Sequence, residues 1–288
     1  MNSVAGPRRF ATLALLVALA TGGVSGRQHA AAGSGPAAGQ AAGATPVRVA
    51  SLNMQGKLDL EKALREFRGS ETLRRADIFL LQEVHGDPKQ SRDFIDGLSQ
   101  ALGLPFVHVS DDALLAIKGS GLAVISRYTL KETAVIRLKY NNVVYRSRQR
   151  IALAQTVETP LGDVRLFNLH LDTRVNADQR LAQLATVLDQ ALAEARPVII
   201  GGDFNSNRYY WVAHTLPIPG YRKQREALLK TMAGNGYQTP FESTGATSDW
   251  LGLKLDWMFF RKLQPLAAGT QKIDFSDHHA IWADILLQ

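Results

Sequence analysis

Residues 198–206 read VIIGGDFNS, a stretch that joins an apolar strand pattern to a polar end. Asp203 and Asn205 lie two positions apart, so in an extended chain their side chains point to the same side. A carboxylate beside an amide can hold an attacking water molecule, because the acid accepts its proton and the amide orients it. The preceding pair, Gly201 and Gly202, permits a tight turn and a close approach of the backbone to a ligand. A polar turn at the end of a strand is the alternative interpretation.

Three upstream motifs repeat this arrangement of an apolar run that ends in one polar residue. They are VASLNMQG with Asn53, FLLQEVHG with Glu83 and LFNLHLDT with His170. An unpaired carboxylate such as Glu83 is costly to bury, which favours a nearby metal ion or, alternatively, an arginine salt bridge. Taken alone, His170 is more typical of a core histidine than of a ligand. If the strand ends meet, all these side chains surround one small volume.

Two further motifs stand near the C-terminus, KLDWMFF with Asp256 and the tripeptide Ser276-Asp277-His278. A buried aspartate that accepts a hydrogen bond from a histidine orients the ring and raises its pKa. We therefore expect Asp256 to pair with His278, which leaves Asp277 for the metal side of the site.

The composition is that of an ordinary globular protein, with 45% apolar and 20% charged residues in 288. The chain has no cysteine, which excludes disulfides and thiolate metal sites. Any metal must be held by oxygen and imidazole, which favours Mg²⁺, with Mn²⁺ and Ca²⁺ as alternatives, over zinc. The formal net charge of +7 suits an anionic substrate but is far below that of a protein that coats nucleic acid.

The N-terminal residues 1–20 have the layout of a secretory signal peptide, with two arginines before a short apolar stretch and a cleavage site that could lie as late as about residue 26. An uncleaved membrane anchor is the alternative. Residues 21–46 are rich in Ala and Gly and predict a flexible linker. Residues 47–288 would form the folded domain, in a secreted or periplasmic protein that we expect to be a monomer.

Downstream of the linker, strand-like runs alternate with helical stretches, which predicts one mixed α/β (α+β) domain of two packed sheets with helices outside. The runs FVHVS, ALLAI, GLAVISR and TAVIRLKY are typical of an antiparallel meander. The last two strands are predicted at LKLDWMFF and HAIWADILL.

The ordered motifs resemble those of the endonuclease/exonuclease/phosphatase superfamily, the DNase I-like fold. The resemblance rests on Asn53, Gln82-Glu83, the NLH that ends at His170, the GDFN at 202–205, Asp256 and Ser276-Asp277-His278, and it spans essentially all of residues 46–288. It implies a four-layer α/β/β/α sandwich with its site at one edge of the paired sheets.

The resemblance also implies roles for the motif residues. Asp203 and Asn205 would position or activate water, while His170 and His278 would contact and polarise the scissile phosphate. Asp256 would orient His278. Either Asp203 or the pair of Asp256 and His278 could be the general base.

For the metal, the resemblance implies Glu83 as the ligand, with Asn53 and Asp277 assisting. Some members place an acidic ligand two residues after the first-strand asparagine, and here that position is Gln55, which leaves open whether one or two ions bind.

An arginine near the phosphate is a further expectation from the resemblance. Arg150 matches the family position, with Arg146 and Arg148 as close competitors.

Members of the superfamily cut several kinds of phosphate ester, so the fold does not name the substrate. The aromatic run at 207–211, NRYYW, could stack nucleobases or sit in a lipid interface, and packing under a loop is the simplest interpretation. Because no long apolar hairpin is evident, we expect a metal-dependent endonuclease that acts on DNA or RNA. A phospholipid (sphingomyelinase-like) phosphodiesterase or another phosphatase is the alternative, and an inactive binding module of the same fold is the third possibility.

Overall fold

The computed structural model describes residues 45–143, 148–219 and 223–288. These residues all belong to one compact unit, Ala42–Gln288. The predicted signal peptide and nearly all of the predicted linker lie outside the described residues. Within the described ranges, no helix combines the length and apolarity needed to cross a membrane.

Most of the described chain lies in short strands and helices. The strands in the described ranges are β1 Val47–Asn53, β2 Ile78–Gln82, β3 Phe106–Val109, β4 Leu122–Ser126, β5 Leu130–Arg137, β6 Ile151–Thr159, β7 Gly162–His170, β8 Val198–Asp203, β9 Tyr210–Val212, β10 Leu216–Ile218, β11 Asp256–Arg261, β12 Leu263–Gln271 and β13 Ala280–Leu287. The helices there are α1 Leu60–Gly69, α2 Glu71–Arg74, α3 Pro88–Leu102, α4 Asp112–Leu115, α5 Ala177–Leu192 and α6 Lys223–Gly234.

The strands form two large sheets and one separate hairpin. The first sheet has the order β12-β13-β1-β2-β4-β3, the second has the order β11-β8-β7-β6-β5, and β9 pairs only with β10. Each large sheet contains one parallel pair, β1 with β2 and β7 with β8. Parallel neighbours have their C-terminal ends at the same edge of a sheet. The C-terminal ends of β1, β2, β7 and β8 therefore lie on one side of the domain.

The apolar core lies on both faces of each sheet. Phe79 of β2 shares one cluster with Phe67 of α1 and Leu98 of α3, so these helices cover the outside of the first sheet. Leu184 of α5 and Met232 of α6 belong to a second cluster that includes strands of both sheets. The resulting order of helix, sheet, sheet and helix confirms the predicted α/β/β/α sandwich.

Two predictions about the elements were wrong. The run ALLAI forms no strand, because residues Asp112–Leu115 turn into the short helix α4. The predicted meander breaks after β4, since β3 pairs with β4 in the first sheet whereas β5 pairs with β6 in the second.

Sequence reasoning also missed β12 and the hairpin of β9 and β10. Strand β12 lies at a sheet edge, carries Pro265 and Gly269, and changes register between Pro265 and Ala267. Proline and glycine weaken a strand pattern but are tolerated at sheet edges and bulges, which explains the omission. In the hairpin, Pro217 conceals β10 for the same reason.

The glycine pair at 201 and 202 forms no turn, contrary to the prediction, because both residues lie inside β8. A Cβ atom on Gly201 would lie 2.7 Å from Cδ1 of Leu80 in the facing sheet. Gly202 has φ +136°, and a Cβ atom there would lie 2.0 Å from the carbonyl oxygen of Leu169. The pair therefore lets the two sheets and the neighbouring strand approach closely just before Asp203.

We predict that Gly202→Ala destabilises the fold by about 3 kcal/mol, because the new methyl group meets backbone that cannot move aside. The free energy of unfolding, measured by urea denaturation, checks this value.

The matched control is Gly69→Ala, since Gly69 ends α1 and a Cβ atom there meets nothing within 4 Å. It should be neutral or stabilise the protein by up to about 1 kcal/mol. Equal stability of the two variants would contradict the proposed role of Gly202.

Candidate active site

A cleft of about 570 Å³ opens where the four strand ends meet. Its lining contains six of the predicted site residues, together with two tryptophans and two basic side chains. The lining residues are Asn53, Gln55, Glu83, Lys118, Thr173, Arg174, Asp203, Asn205, Asn207, Trp211, Ser248, Trp250, Leu253, Leu255, Asp277 and His278.

Strand register explains why distant residues meet at this edge. His170, the last residue of β7, pairs with Asp203, the last residue of β8. Asp256, the first residue of the antiparallel β11, pairs with Asp203 from the other side. Glu83 and Asn205 follow their strands with φ of +54° and +50°, a left-handed conformation that turns the chain at the edge of the cleft.

A buried amide pair joins the two sheets next to the site. Nε2 of Gln82 donates to Oδ1 of Asn168 at 2.8 Å. In turn, Nδ2 of Asn168 donates to the carbonyl oxygens of Leu81 and Ala123, each at 3.0 Å. Gln82 directly precedes Glu83, and Asn168 stands two residues before His170, so this contact sets the position of both site residues. Both amides stand within the motifs FLLQEVHG and LFNLHLDT, but the sequence alone does not show that they point into the core.

Asp203 lies at the centre of the site and is almost fully buried. Its Oδ2 accepts a hydrogen bond from Nδ2 of Asn53 at 3.0 Å, and the same amide donates to Oε1 of Glu83 at 3.3 Å. Its Oδ1 accepts from the backbone N–H of Asn205 at 2.9 Å. Burial, followed by repulsion from Asp256, raises the pKa of Asp203 to about 7. A carboxylate with a pKa near neutrality is suited to accept a proton.

Asp256 and His278 form the predicted pair. Oδ2 of Asp256 lies 2.9 Å from Nδ1 of His278 and also accepts from Oγ1 of Thr247 at 2.6 Å. Burial would lower the pKa of His278, but the charge and hydrogen bond of Asp256 outweigh it and raise the pKa to about 10. Nε2 of this ring then points towards Asp203, whose Oδ2 is 3.9 Å away. Thr247 was missed because no motif marks it.

His170 is buried and held in one tautomer. Nη1 of Arg150 lies 3.2 Å from its Nδ1, and an arginine can only donate, so Nδ1 accepts and Nε2 carries the proton. Burial, followed by the charge of Arg150, lowers the pKa of His170 well below its ordinary value. Nε2 lies 3.4 Å from Oδ2 of Asp203 and 3.8 Å from Oε1 of Glu83.

Arg150 does not reach the cleft, which corrects the expectation that it contacts a substrate phosphate. The residue is buried, and its guanidinium donates to Asp172 at 2.9 Å and to the carbonyl oxygen of Gly119. It therefore supports His170 from behind. Of its two competitors, Arg146 lies outside the described residues, and Arg148 lies beside Gly119, where a Cβ atom would be 2.1 Å from Nη1 of Arg148 and 3.8 Å from Cδ of Glu83.

The donor groups of the cleft fit a hard divalent cation. Glu83 and Asp277 both present carboxylates to the cleft. Oδ1 of Asp277 is buried without a hydrogen-bond partner among the described residues. Asn53 occupies the predicted place beside Glu83, although its Oδ1 accepts from the backbone N–H of Gln55 at 2.9 Å. Mg²⁺ binds oxygen ligands and is typically held by one or two protein carboxylates together with water and substrate phosphate.

A second grouping offers another possible metal position. Atoms of Asp203, Asp256 and His278 that could act as ligands all lie within 4.8 Å of one another. Nδ1 of His278 is already bonded to Asp256, however, and Asp203 is held by Asn53. We therefore favour Glu83 and Asp277 for the cation and a hydrogen-bonding role for this second grouping.

Comparison with known proteins identifies the family of the chain. The model of the Endonuclease/Exonuclease/phosphatase family matches residues 50–278. The chain belongs to this family. No curated protein sequence matches it.

Three solved structures illustrate the family likeness. The endonuclease/exonuclease/phosphatase from Beutenbergia cavernae DSM 12333 has a TM-score of 0.66 and 21% identity, over 84% of this chain and 72% of that chain. The catalytic domain of human nocturnin with a bound sulfate anion has a TM-score of 0.58 and 19% identity, over 84% and 95%. TDP2 from D. rerio, complexed with a single-stranded DNA product, has a TM-score of 0.59 and 17% identity, over 84% and 99%. Identities this low establish a shared fold alone.

We predict that His278 carries a proton on both ring nitrogens at pH 8 in the metal-free protein, and that Asp256→Asn makes this ring neutral. The reason is that burial alone lowers the pKa of His278 once the carboxylate is gone. Ring ¹⁵N chemical shifts, recorded in EDTA, report the protonation state.

The free energy of unfolding should depend on pH through the titration of His278. The pKa of His278 is about 10 in the folded protein against 6.5 ordinarily, so its contribution is complete below about pH 6.5 and is lost as the pH rises towards 10. Asp256→Asn should remove this dependence, whereas Asp249→Asn, whose carboxylate contacts His279, should keep it. A neutral His278 in the wild-type protein at pH 8 would contradict the assignment.

Proposed function

We propose that the chain is an exported, divalent-cation-dependent phosphodiesterase that hydrolyses nucleic acid by water attack. One observation carries the proposal. Oδ2 of the buried Asp203 stands 3.4 Å from Nε2 of His170 and 3.9 Å from Nε2 of His278, within a cleft that also exposes Glu83. A proton acceptor, two imidazoles and a cation ligand thus surround a single volume.

The protein groups divide the task of cleaving an anionic ester. Asp203, with its pKa raised to about 7, accepts a proton from water, and Asn205 borders the same cleft to orient that water. His278 is positively charged and stabilises negative charge on the phosphate. His170 offers its Nε2 proton to a phosphate oxygen from a fixed ring position.

The cation would be held by Glu83 and Asp277, with Asn53 beside them. Members of this family generally depend on a divalent metal, and the oxygen-rich donor set favours Mg²⁺, with Mn²⁺ or Ca²⁺ as alternatives. When bound, such an ion neutralises phosphate charge and polarises the ester.

Nucleic acid is the substrate class that the rim of the cleft supports best. A relative of this fold, TDP2 from D. rerio, was solved with a single-stranded DNA product. In this chain, Trp250 lines the cleft with 51% of its surface exposed, and its ring centre lies 6.3 Å from that of Tyr209. Exposed rings of this kind stack on nucleobases. Lys118 and Arg174 add positive charge to the cleft wall.

We predict that the purified protein hydrolyses bis-p-nitrophenyl phosphate with Mg²⁺ and that Glu83→Gln lowers kcat by about 10³-fold, because the cation loses a charged ligand. EDTA should abolish the activity and added Mg²⁺ should restore it.

Glu61→Gln provides the matched control, because Glu61 lies exposed on the first turn of α1 and outside the cleft. It should retain wild-type activity. Failure of the wild-type protein to hydrolyse this substrate with any of Mg²⁺, Mn²⁺ or Ca²⁺ would favour an inactive binding module instead.

A phospholipid substrate is the second candidate, and the hairpin of β9 and β10 is the observation that favours it. In its register, Leu216 pairs with Val212 and Ile218 pairs with Tyr210. All four side chains are between 40% and 60% exposed. Trp211, which lies between Tyr210 and Val212 in the sequence, is buried and lines the cleft. The hairpin is short, but it presents an apolar face at the rim of the site, as a lipid-docking surface would.

The double variant Leu216→Asn/Ile218→Asn separates the two substrate classes. Under the nucleic-acid proposal, cleavage of a single-stranded oligonucleotide stays within about twofold of wild type, because exposed aliphatic side chains add nothing to base stacking. Initial rates on that oligonucleotide and on sphingomyelin vesicles provide the measurement. Wild-type cleavage of the vesicles that exceeds oligonucleotide cleavage, and that the double variant loses, would establish the phospholipid candidate in its place.

A further inference from the structure

A second cavity of about 530 Å³ adjoins the catalytic cleft, and we call it the side cavity. Its lining residues are Ser206, Asn207, Arg208, Arg225, Glu226, Leu229, Gly252, Leu253 and Lys254. Asn207 and Leu253 also line the catalytic cleft. The two spaces are therefore neighbours that share part of one wall.

Among the described residues, the lining of the side cavity is predominantly basic, with the cations Arg208, Arg225 and Lys254 against the carboxylate of Glu226. Lys254 is committed to the protein, because its Nζ donates to the carbonyl oxygen of Thr244 at 2.7 Å and to Oγ1 of Thr244 at 2.8 Å. Arg225 donates through Nη2 to the carbonyl oxygen of Glu242, and Arg208 donates through Nη2 to that of Leu251 at 3.4 Å. A guanidinium has five N–H donors, so both arginines retain donors for an anion.

Aromatic rings stand at the boundary between the two spaces. Trp250 borders the catalytic cleft, Tyr209 lies 6.3 Å from it between ring centres, and Cζ of Arg208 lies 6.0 Å from the Tyr209 ring. The Trp250 loop, residues 249–252, has left-handed backbone at Leu251, with φ +55°, and at Gly252, with φ +58°; this conformation is strained for leucine but not for glycine. Such strain in a loop beside a site is typical of a functional segment.

We propose that a nucleic-acid strand runs from the catalytic cleft past the Trp250 ring into the side cavity, where Arg225 and Arg208 bind the phosphate next to the scissile one. This inference rests on the proposed function and adds to it that the substrate is a chain with at least two phosphates. The scissile phosphate would meet the cation of the catalytic cleft, a base would stack on the Trp250 ring, and the next phosphate would meet Arg225 and Arg208. Proteins bind single strands through such a combination of positive charge and stacking rings. A phospholipid with one phosphate has no group for the side cavity.

The test compares substrates of increasing length in the intact protein with Mg²⁺. The substrates are bis-p-nitrophenyl phosphate, the thymidine dinucleotide with one phosphate, and the thymidine octanucleotide. In the wild type, kcat/KM should rise at least tenfold from the dinucleotide to the octanucleotide. Arg225→Gln should remove most of that rise, a loss of about tenfold, because a charged hydrogen bond to phosphate disappears.

Three further variants make the result specific. Arg225→Lys should recover part of the loss, because it restores the positive charge without the guanidinium geometry. Arg74→Gln, which removes an exposed arginine from α2, should behave as wild type. Trp250→Phe should lose the quenching of protein fluorescence that the octanucleotide causes in EDTA. Melting temperatures check that each variant is folded.

Each outcome decides one claim. No hydrolysis of any substrate by the wild type overturns the proposed function itself. Hydrolysis without length dependence, or with the same length dependence in Arg225→Gln, overturns the side cavity as a phosphate subsite and leaves the proposed function standing.

Diadenosine pyrophosphate distinguishes a strand from a small diphosphate. If this compound is cleaved better than the octanucleotide and Arg225→Gln abolishes that preference, the occupant is a nucleotide pyrophosphate and the strand proposal is wrong.

Discussion

The contact between Gln82 and Asn168 is the constraint on which the geometry of the site depends. Two sheets that meet through aliphatic side chains alone could slide relative to each other at little cost, because hydrophobic contact has no direction. Two buried amides remove that freedom, since a shift would leave polar groups unpaired inside the core. Glu83 follows a strand of one sheet and His170 ends a strand of the other. The distance of 3.8 Å between Oε1 of Glu83 and Nε2 of His170 therefore depends on this contact.

The site itself is organised around one buried carboxylate. Asp203 is approached by an amide from Asn53 and by two imidazoles, and the two imidazoles differ in charge. Burial, followed by the charge of Arg150, lowers the pKa of His170 and keeps it neutral, whereas Asp256 outweighs burial and keeps His278 charged. The two histidines beside Asp203 can therefore act differently, one as a neutral donor and one as a cation, because Arg150 stands behind His170 and Asp256 stands behind His278.

Sequence patterns predicted the layers of the fold and the residues that meet at the cleft, because apolar periodicity and strand ends are local signals. They could not predict strand β12, where Pro265 and an edge position hide the alternation, or the role of Gly201, which depends on Leu80 in the facing sheet. The expectation for Arg150 failed for a related reason. Its side chain turns towards Asp172 and the carbonyl oxygen of Gly119, and no spacing in the sequence records these long-range contacts.

The anchoring of the Trp250 loop has a mechanical consequence. The backbone N–H of Asp249 donates to the carbonyl oxygen of Asp277 at 2.8 Å, so the loop that carries the exposed ring is tied to the peptide that carries a proposed cation ligand. A displacement of the indole would therefore reach Asp277 and the adjacent His278 through this hydrogen bond. Substrate binding at the cleft entrance and the alignment of the catalytic groups would then be coupled. A substrate that contacts the indole poorly would leave those groups slightly misaligned.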